Sequence, residues 1–572
     1  MMLFATAVDA GASRAPIDLA WSAFAPELVL ASTVMILLLL LVAGKLRIAV
    51  GLLTGLSVVV VGVLLTVLGD GGGMVLDSTG ALAEQTGIKG DPVIGGIVIA
   101  LGMAVMAIPV ALAATSRLIG PWIAGAGTFA ALATTMWQLR EVLFSDAGIA
   151  TPMLTAGGSV ALDGIAVFTR LTVLITTLLV IPMGYGYLRD RNIGRDEFEP
   201  LLLLAATGMM ALGAASDAIT LFVSLELLSI ALYVLAGLAR RDRRSQEAAI
   251  KYFVMGAVAS AILLYGLALL YVATGTLDLH EMAFRLQLAG TPYAIAGLGM
   301  ALVTVGVGFK IAAVPFHLWT PDVYQGAPTN ITAFMAAGTK AAGFALVLRL
   351  YLLTFQPLQD LWLPVVSIAA AATMLYGAVA AIVQHDVKRI LAYSSVAHAG
   401  YALIGVVAGG DDGVSSTLWY LLTYAISTMA AFGVVVALER QRRGEVTLNT
   451  LRGLGKTSPI LAGTFAAALL SLAGIPPTAG FVGKLAVFRA GVGAGFEWLV
   501  IIGVLSSVIA AFFYLRVIGA MFLEDPVAGA EELVPSEGLS LSLTLAGVAI
   551  IVLGVFPQFL LDLAGRASQI AQ

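Results

Sequence analysis

The sequence predicts an all-α polytopic membrane protein, and three observations carry that prediction. Of the 572 residues, 60% are hydrophobic and only 11% charged, with a mean hydropathy of +1.00, far from an ordinary soluble domain. Apolar stretches of about 20 residues, enough to cross a bilayer as a helix, recur sixteen times. Within them the pattern is helical or uniformly apolar, with Gly and Ala interspersed as in closely packed membrane helices, and no soluble domain interrupts the series.

The predicted spans run over about 26–43, 48–69, 93–113, 119–139, 161–188, 200–216, 218–238, 251–273, 293–316, 331–355, 362–384, 390–408, 417–438, 459–484, 495–522 and 538–563. Residues 1–25 carry Asp9, Arg14, Pro16 and Asp18 but no basic segment ahead of a long apolar run, so the first span reads as an uncleaved insertion signal. Basic residues fall unevenly on the connections. Loops after odd-numbered spans hold seventeen, including Arg240, Arg241, Arg243 and Arg244, whereas loops after even-numbered spans hold only Lys89, Arg140, Arg285 and Arg489. By the positive-inside rule the odd loops are cytoplasmic and both termini external.

Composition narrows the chemistry. A chain without cysteine has no thiolate for iron-sulfur clusters or zinc and no disulfide, and four histidines argue against a haem or multi-metal site. Redox chemistry is therefore expected on other chains. A net charge of -4 without a basic, aromatic-interleaved cluster gives no sign of nucleic acid.

Of eight lysines, Lys251, Lys310, Lys340 and Lys484 lie inside or at the edge of apolar spans, while the loops are written mostly in arginine. Charges inside a membrane helix are costly and mark ion or proton pathways. A desolvated lysine can exchange a proton where an arginine cannot, so the distribution suits a proton relay. Glu226 is the one acid read as deep within a span, and as an isolated buried carboxylate it requires a nearby cation. The structural alternative for Glu226 and Lys310 is a fixed interhelical ion pair. Lys251, beside the arginine-rich loop, could equally snorkel. Arg170, Arg349 and Arg516 are read as long side chains near helix ends that need no functional explanation.

Two spans are interrupted. Pro315 follows Lys310 within KIAAVP, and Pro476 and Pro477 interrupt SLAGIPPTAGFVGK, which ends at Lys484. Proline removes a backbone hydrogen bond, and freed carbonyls at membrane depth are tolerated where protein buries them or water reaches them. Aligned on Pro315 and Pro476, the two breaks match in spacing, a pointer to an internal repeat with ion-handling sites at midplane. His317, seven residues after Lys310, and His398, within the twelfth span, can carry protons near neutral pH, although for His398 an interhelical hydrogen bond serves equally well. His280 and His385 fall in loops and are read as solvated.

FKIAAVPFHLWTPDVYQGAPT, LFVSLELLSIALYVLAG preceded by Asp217, QEAAIKYFVMGAVASAILLYG, HDVKRILAYSSVAHAGY and LAGIPPTAGFVGK occur in order. Together they resemble the subunit N family of bacterial NADH:quinone oxidoreductase, the complex I membrane subunits similar to ND2, over residue 161 to the C-terminus. The resemblance implies two inverted five-helix repeats, 200–355 and 362–522, each with one broken helix, after an N-terminal region 1–160 and a linking span 161–199, and before a last span and tail, 538–572. It implies that Glu226 and Lys310 form the charge pair of the first half-channel, that Lys340 lies on the central hydrophilic axis and that Lys484 is the ionisable group of the second broken helix. Lys251 and His317 also match family positions. A pair that opens and closes would change how tightly the neighbouring lysine holds its proton.

The resemblance further implies a non-redox, proton-translocating subunit of the bacterial inner membrane. NADH, FMN, iron-sulfur clusters and quinone would then be held by partner subunits, and the partners would be antiporter-like and small helical membrane subunits together with the peripheral redox arm. One departure stands out. The family carries two helices before the span at 161–188, whereas this sequence offers four: either a hairpin is inserted, in which case it is expected at the periphery, or one pair does not span the membrane. The competing readings are a subunit of a multi-subunit cation/proton antiporter and a structural membrane scaffold whose charges are locked pairs.

Overall fold

A computed structural model describes residues 24–43, 75–76, 82–83, 119–144, 153–155, 158–193, 197–442, 444–527 and 531–568. The predicted spans 48–69 and 93–113 lie outside these residues. The other fourteen fall on helices: α1 (Ala25–Ala43), α2 (Ile119–Phe144), α3 (Gly164–Asp190), α4 (Phe198–Ala214), α5 (Ala218–Ala236), α6 (Arg243–Thr274), a short α7 (Leu279–Leu286) and α8 (Tyr293–Ile311). They continue with α9 (Trp319–Gly326), α10 (Thr329–Arg349), α11 (Gln359–Ile382), α12 (Val387–Ala408), α13 (Gly410–Arg442), α14 (Pro459–Ala473), α15 (Ala479–Gly493), α16 (Glu497–Phe522), α17 (Glu537–Val555) and α18 (Gln558–Arg566). Among the described residues ten helices are long and apolar enough to cross a bilayer, and shorter apolar ones occupy Ala25–Leu38 and Phe198–Ala214. The only strands described form two small antiparallel pairs, Val75–Leu76 with Leu82–Ala83 and Met153–Thr155 with Val160–Leu162.

Aspartates set several helix starts. Asp163, Asp217, Asp242 and Asp386 each accept a first-turn backbone N–H and so fix the beginnings of α3, α5, α6 and α12. Asp242 starts α6 earlier than the sequence pattern suggests, which places Lys251 two turns inside the helix instead of at its edge. The predicted span 459–484 is two helices, α14 and α15, separated by Gly474 to Thr478.

The helices α3, α10 and α13 pack against one another as the centre of the molecule, and every residue of α10 is buried. Around them α6, α16 and α17 present apolar faces outward, including Phe253, Val258, Val508, Phe512, Leu545 and Val548. At the other end of the chain α1 packs on α2 and α4, and α2 on α3, so the two described N-terminal helices stand outside the central three. Arg170, at the middle of α3's first half and fully buried, joins them: its Nε donates to Glu27 Oε1 at 2.7 Å and its Nη1 to Gln138 at 3.0 Å.

Candidate functional site

Both broken helices end in the same way. At the end of α8, Ala312 N–H donates to Phe309 O and Ala313 N–H to Gly308 O, with Ala312 in the left-handed region at φ 60°. At the end of α14, Gly474 N–H donates to Ser471 O and Ile475 N–H to Leu470 O, with Gly474 at φ 83°. Each is a Schellman closure, a tight helix stop that satisfies two carbonyls of the last turn but leaves the final two without a backbone donor. Ala312 and Gly474 therefore correspond, and Pro315 corresponds to Pro477. The alignment on Pro476 is one residue out of step.

That register explains where the lysines go. A proline cannot donate to the carbonyl four residues before it. For Pro315 that carbonyl is Ile311 O, and Lys340 Nζ donates to it at 3.1 Å. For Pro477 it is Ala473 O, and Lys484 Nζ donates to it at 2.9 Å, with Ser507 Oγ at 3.2 Å and the Tyr401 ring 4.5 Å beneath the ammonium. The negative end of each helix thus faces a buried ammonium.

Lys310 occupies the last turn of α8 and faces α5, where its Nζ donates to Ser229 Oγ at 2.8 Å. Glu226, one turn earlier on α5, lies within electrostatic reach of Lys310, but its carboxylate does not touch the ammonium. Ser229 intervenes, because the side chain three residues beyond Glu226 on the same face reaches the ammonium first. Glu226 Oε1 is buried without a hydrogen-bond partner.

His398, on α12, is held between hydroxyls, with Tyr420 Oη 2.5 Å from Nδ1 and Tyr514 Oη 3.3 Å from Nε2. Lys340 and Lys484 both lie within electrostatic reach of its ring. Lys310, Lys340, His398 and Lys484 are each at most 5% exposed, which makes them an interior series.

Two predicted residues stand apart from it. Lys251 is 41% exposed at its side chain and pairs with Glu247 at 2.7 Å and Asp322 at 2.8 Å, while Asp322 also receives Arg389. It belongs to an ionic network joining α6, α9 and α12, outside the buried series. His317 is buried in the break after α8 with neither ring nitrogen hydrogen-bonded and its ring edge-on to Tyr376 at 4.5 Å.

Several buried charges escaped the sequence reading. Arg349, at the end of α10, is clamped by both carboxylate oxygens of Asp163 at 2.9 and 2.8 Å and by Gly213 O at 2.8 Å. Arg170 and Arg349 are thus interior ion-pair partners and not end-of-helix snorkels; Arg170's depth within its apolar run was the available signal. Glu439 on α13 accepts from Tyr187, Thr329 and Arg191 and lies 3.6 Å from Lys388 Nζ. It borders a cavity of about 950 Å³ whose walls include Arg191, Arg240, Arg244, Asp386 and Lys388. In the loop before α12, burial holds the Asp386 carboxyl above its usual range.

This arrangement matches a known class, the membrane family described as NADH:quinone oxidoreductase/Mrp antiporter, TM, whose model covers residues 215–510. NADH-quinone oxidoreductase subunit N of Rhodococcus opacus (strain B4) is 51% identical over 378 residues, 66% of this chain and 70% of that one. Subunit N of Trichlorobacter lovleyi is 39% identical over 470 residues, 82% of this chain and 94% of its own. Among solved structures, a chain of respiratory complex I from Thermus thermophilus with bound aureothin aligns with a TM-score of 0.66 at 34% identity, over 82% of this chain and 99% of that chain. A chain of the Mrp complex from Dietzia sp. aligns with a TM-score of 0.67 at 26% identity, over 82% and 95%. The chain belongs to the NADH-quinone oxidoreductase subunit N family.

Proposed function

We propose that the chain works as a non-redox membrane subunit of an NADH:quinone oxidoreductase, translocating protons through Lys310, Lys340, His398 and Lys484, with Glu226 modulating Lys310. NADH, FMN, iron-sulfur clusters and quinone are the business of partner subunits, and quinone chemistry there biases the protonation of this axis. One observation carries the reading. Lys310, Lys340 and Lys484 are buried, yet among the described residues each is bonded to a neutral oxygen and none to a carboxylate. A scaffold of locked pairs would give each of them an acid. The recurrence of a Schellman stop with a lysine on a free carbonyl supports 200–355 and 362–522 as two repeats, with 1–160, 161–199 and 538–572 outside them. The antiporter reading draws support from the Mrp likeness, but the subunit N relatives are more similar and the likeness to the Mrp chain is weaker at 26% identity.

Lys310→Arg tests the proposal. Arginine keeps the charge and the hydrogen bond but does not give up its proton. The expected result is a normal amount of assembled complex with proton pumping and coupled quinone reductase activity lowered severalfold in inverted membrane vesicles. Wild-type pumping per assembled complex would sink the relay role. Copurification in mild detergent separates the two enzyme readings: flavin and iron-sulfur subunits accompany a subunit N, antiporter subunits the alternative.

A further inference from the structure

The contact between Lys310 and Ser229 has no counterpart in the charge-pair scheme. Ser229 is 1% exposed and its hydroxyl donates to Leu225 O at 2.5 Å while accepting from Lys310 Nζ at 2.8 Å. The bond to Leu225 O is spare. That carbonyl already serves the helix as the acceptor for the backbone N–H four residues on, so the hydroxyl can leave it without orphaning a buried backbone group.

We propose that the Ser229 hydroxyl is the switching hydrogen-bond partner of Lys310, accepting from its ammonium and donating to its amine. This inference rests on the reading of Lys310 as a proton carrier. In the charged state Lys310–NH3+ donates to Ser229 Oγ and the hydroxyl hydrogen points to Leu225 O. When the proton passes on along the axis, Lys310–NH3+ becomes Lys310–NH2 and the next base on the axis gains the proton. The new amine has a lone pair, and the serine hydrogen rotates from Leu225 O onto it. Serine itself neither gains nor loses a proton. A hydroxyl can play both parts because it is donor and acceptor at once, whereas Glu226 as a carboxylate could only accept.

The surroundings allow the rotation. A cavity of about 10 Å³, about the volume a single water centre needs, brings together the polar tips of Ser229, Tyr233, Ser260 and Lys310 among otherwise apolar walls that include Leu225, Leu263 and Phe309. The other titratable groups at the site are Glu226 on α5, Tyr233 on α5, whose hydroxyl also lies within reach of the Ser229 hydroxyl, and Tyr252 on α6, whose ring centre is 6.0 Å from Nζ. None of them contacts Nζ as closely as Ser229 does.

The test compares Ser229→Ala, Ser229→Thr and Lys310→Arg in the assembled complex, measuring proton uptake by inverted vesicles across a pH series. Assembly is normalised by NADH oxidation with an artificial electron acceptor. Ser229→Ala is expected to lower pumping about tenfold, the effect of losing one hydrogen bond to a charged group, and to narrow the pH range of pumping. Ser229→Thr, which keeps the hydroxyl, is expected to restore both. Wild-type pumping in Ser229→Ala overturns the proposal, and so does a loss that leaves the pH profile unchanged, since a merely structural serine would behave that way. If Ser229→Ala is silent while Lys310→Arg is impaired, only the switch fails; if Lys310→Arg also pumps normally, the relay fails with it.

Discussion

Arginine and lysine are used differently in the interior of this protein. Arg170 and Arg349 are buried against carboxylates, whereas Lys310, Lys340 and Lys484 are buried against hydroxyl and carbonyl oxygens. Arginine's fork suits a permanent bidentate clamp, and lysine's single ammonium suits a charge that comes and goes. Lys388, near Glu439 and bonded to Ala327 O, is the exception and stands at the edge of the large cavity. Arg349→Met removes one partner of a fully buried pair and strands Asp163, a change that costs roughly 3 to 5 kcal/mol. The expected outcome is a several-fold smaller amount of assembled complex on a native gel, with pumping per surviving complex unchanged. That is the reverse of the pattern expected for Lys310→Arg, so the two variants together separate locked from exchangeable charge.

At the scale of the element, the helix stop matters more than the proline inside it. The helices α8 and α14 end before Pro315 and Pro477, and what the prolines secure is that no amide competes for Ile311 O and Ala473 O. Gly474 allows a distinct test. A Cβ there would lie 2.7 Å from Lys484 Cδ and would push the ammonium off its carbonyl. Backbone strain alone is tolerable, because Ala312 already occupies the corresponding left-handed position in the first half at a cost of about 1 to 2 kcal/mol. Gly474→Ala is therefore expected to assemble nearly normally and to pump at least severalfold more slowly, measured as vesicle acidification per assembled complex. Unimpaired pumping would mean that the Lys484–Ala473 bond is dispensable.

For the whole molecule, the central trio α3, α10 and α13 carries the stabilising pairs, and the broken helices lean on it so that their free carbonyls meet α10 and α15. The described α1 and α2 lie on α3 and α4, and the other two N-terminal candidates, 48–69 and 93–113, fall outside the described residues. The exposed apolar faces of α6, α16 and α17 suit lipid or neighbouring membrane subunits. Orientation follows from the seventeen to four asymmetry of basic residues and is checked by labelling. Asp242→Cys in this cysteine-free chain places one exposed thiol in the loop before α6, and an impermeant reagent is expected to label it in inverted vesicles and not in intact cells. Labelling in intact cells would reverse the assignment.

Much of this was legible in the sequence. Helices at fourteen of the predicted stretches, both interruptions and the four lysines follow from runs of apolar residues and from the cost of charge within them, which are local properties of a chain in a bilayer. Partnership was not legible. Arg349 and Asp163 meet across 186 residues of sequence, Arg170 and Glu27 across 143, and Ser229 reaches Lys310 from 81 residues away. Helices such as α5 and α13 are apolar on all sides, so no stripe tells which face turns inward, and proximity within one motif could not tell Glu226 from Ser229 as the group that touches Lys310. Nor could it tell Pro476 from Pro477, since only the hydrogen bonds at the helix end fix the register. The sequence by itself determined what kinds of charge lie within the membrane and roughly how deep. Tertiary packing decided which oxygen each charge faces, because that depends on the rotation of helices far apart in the chain.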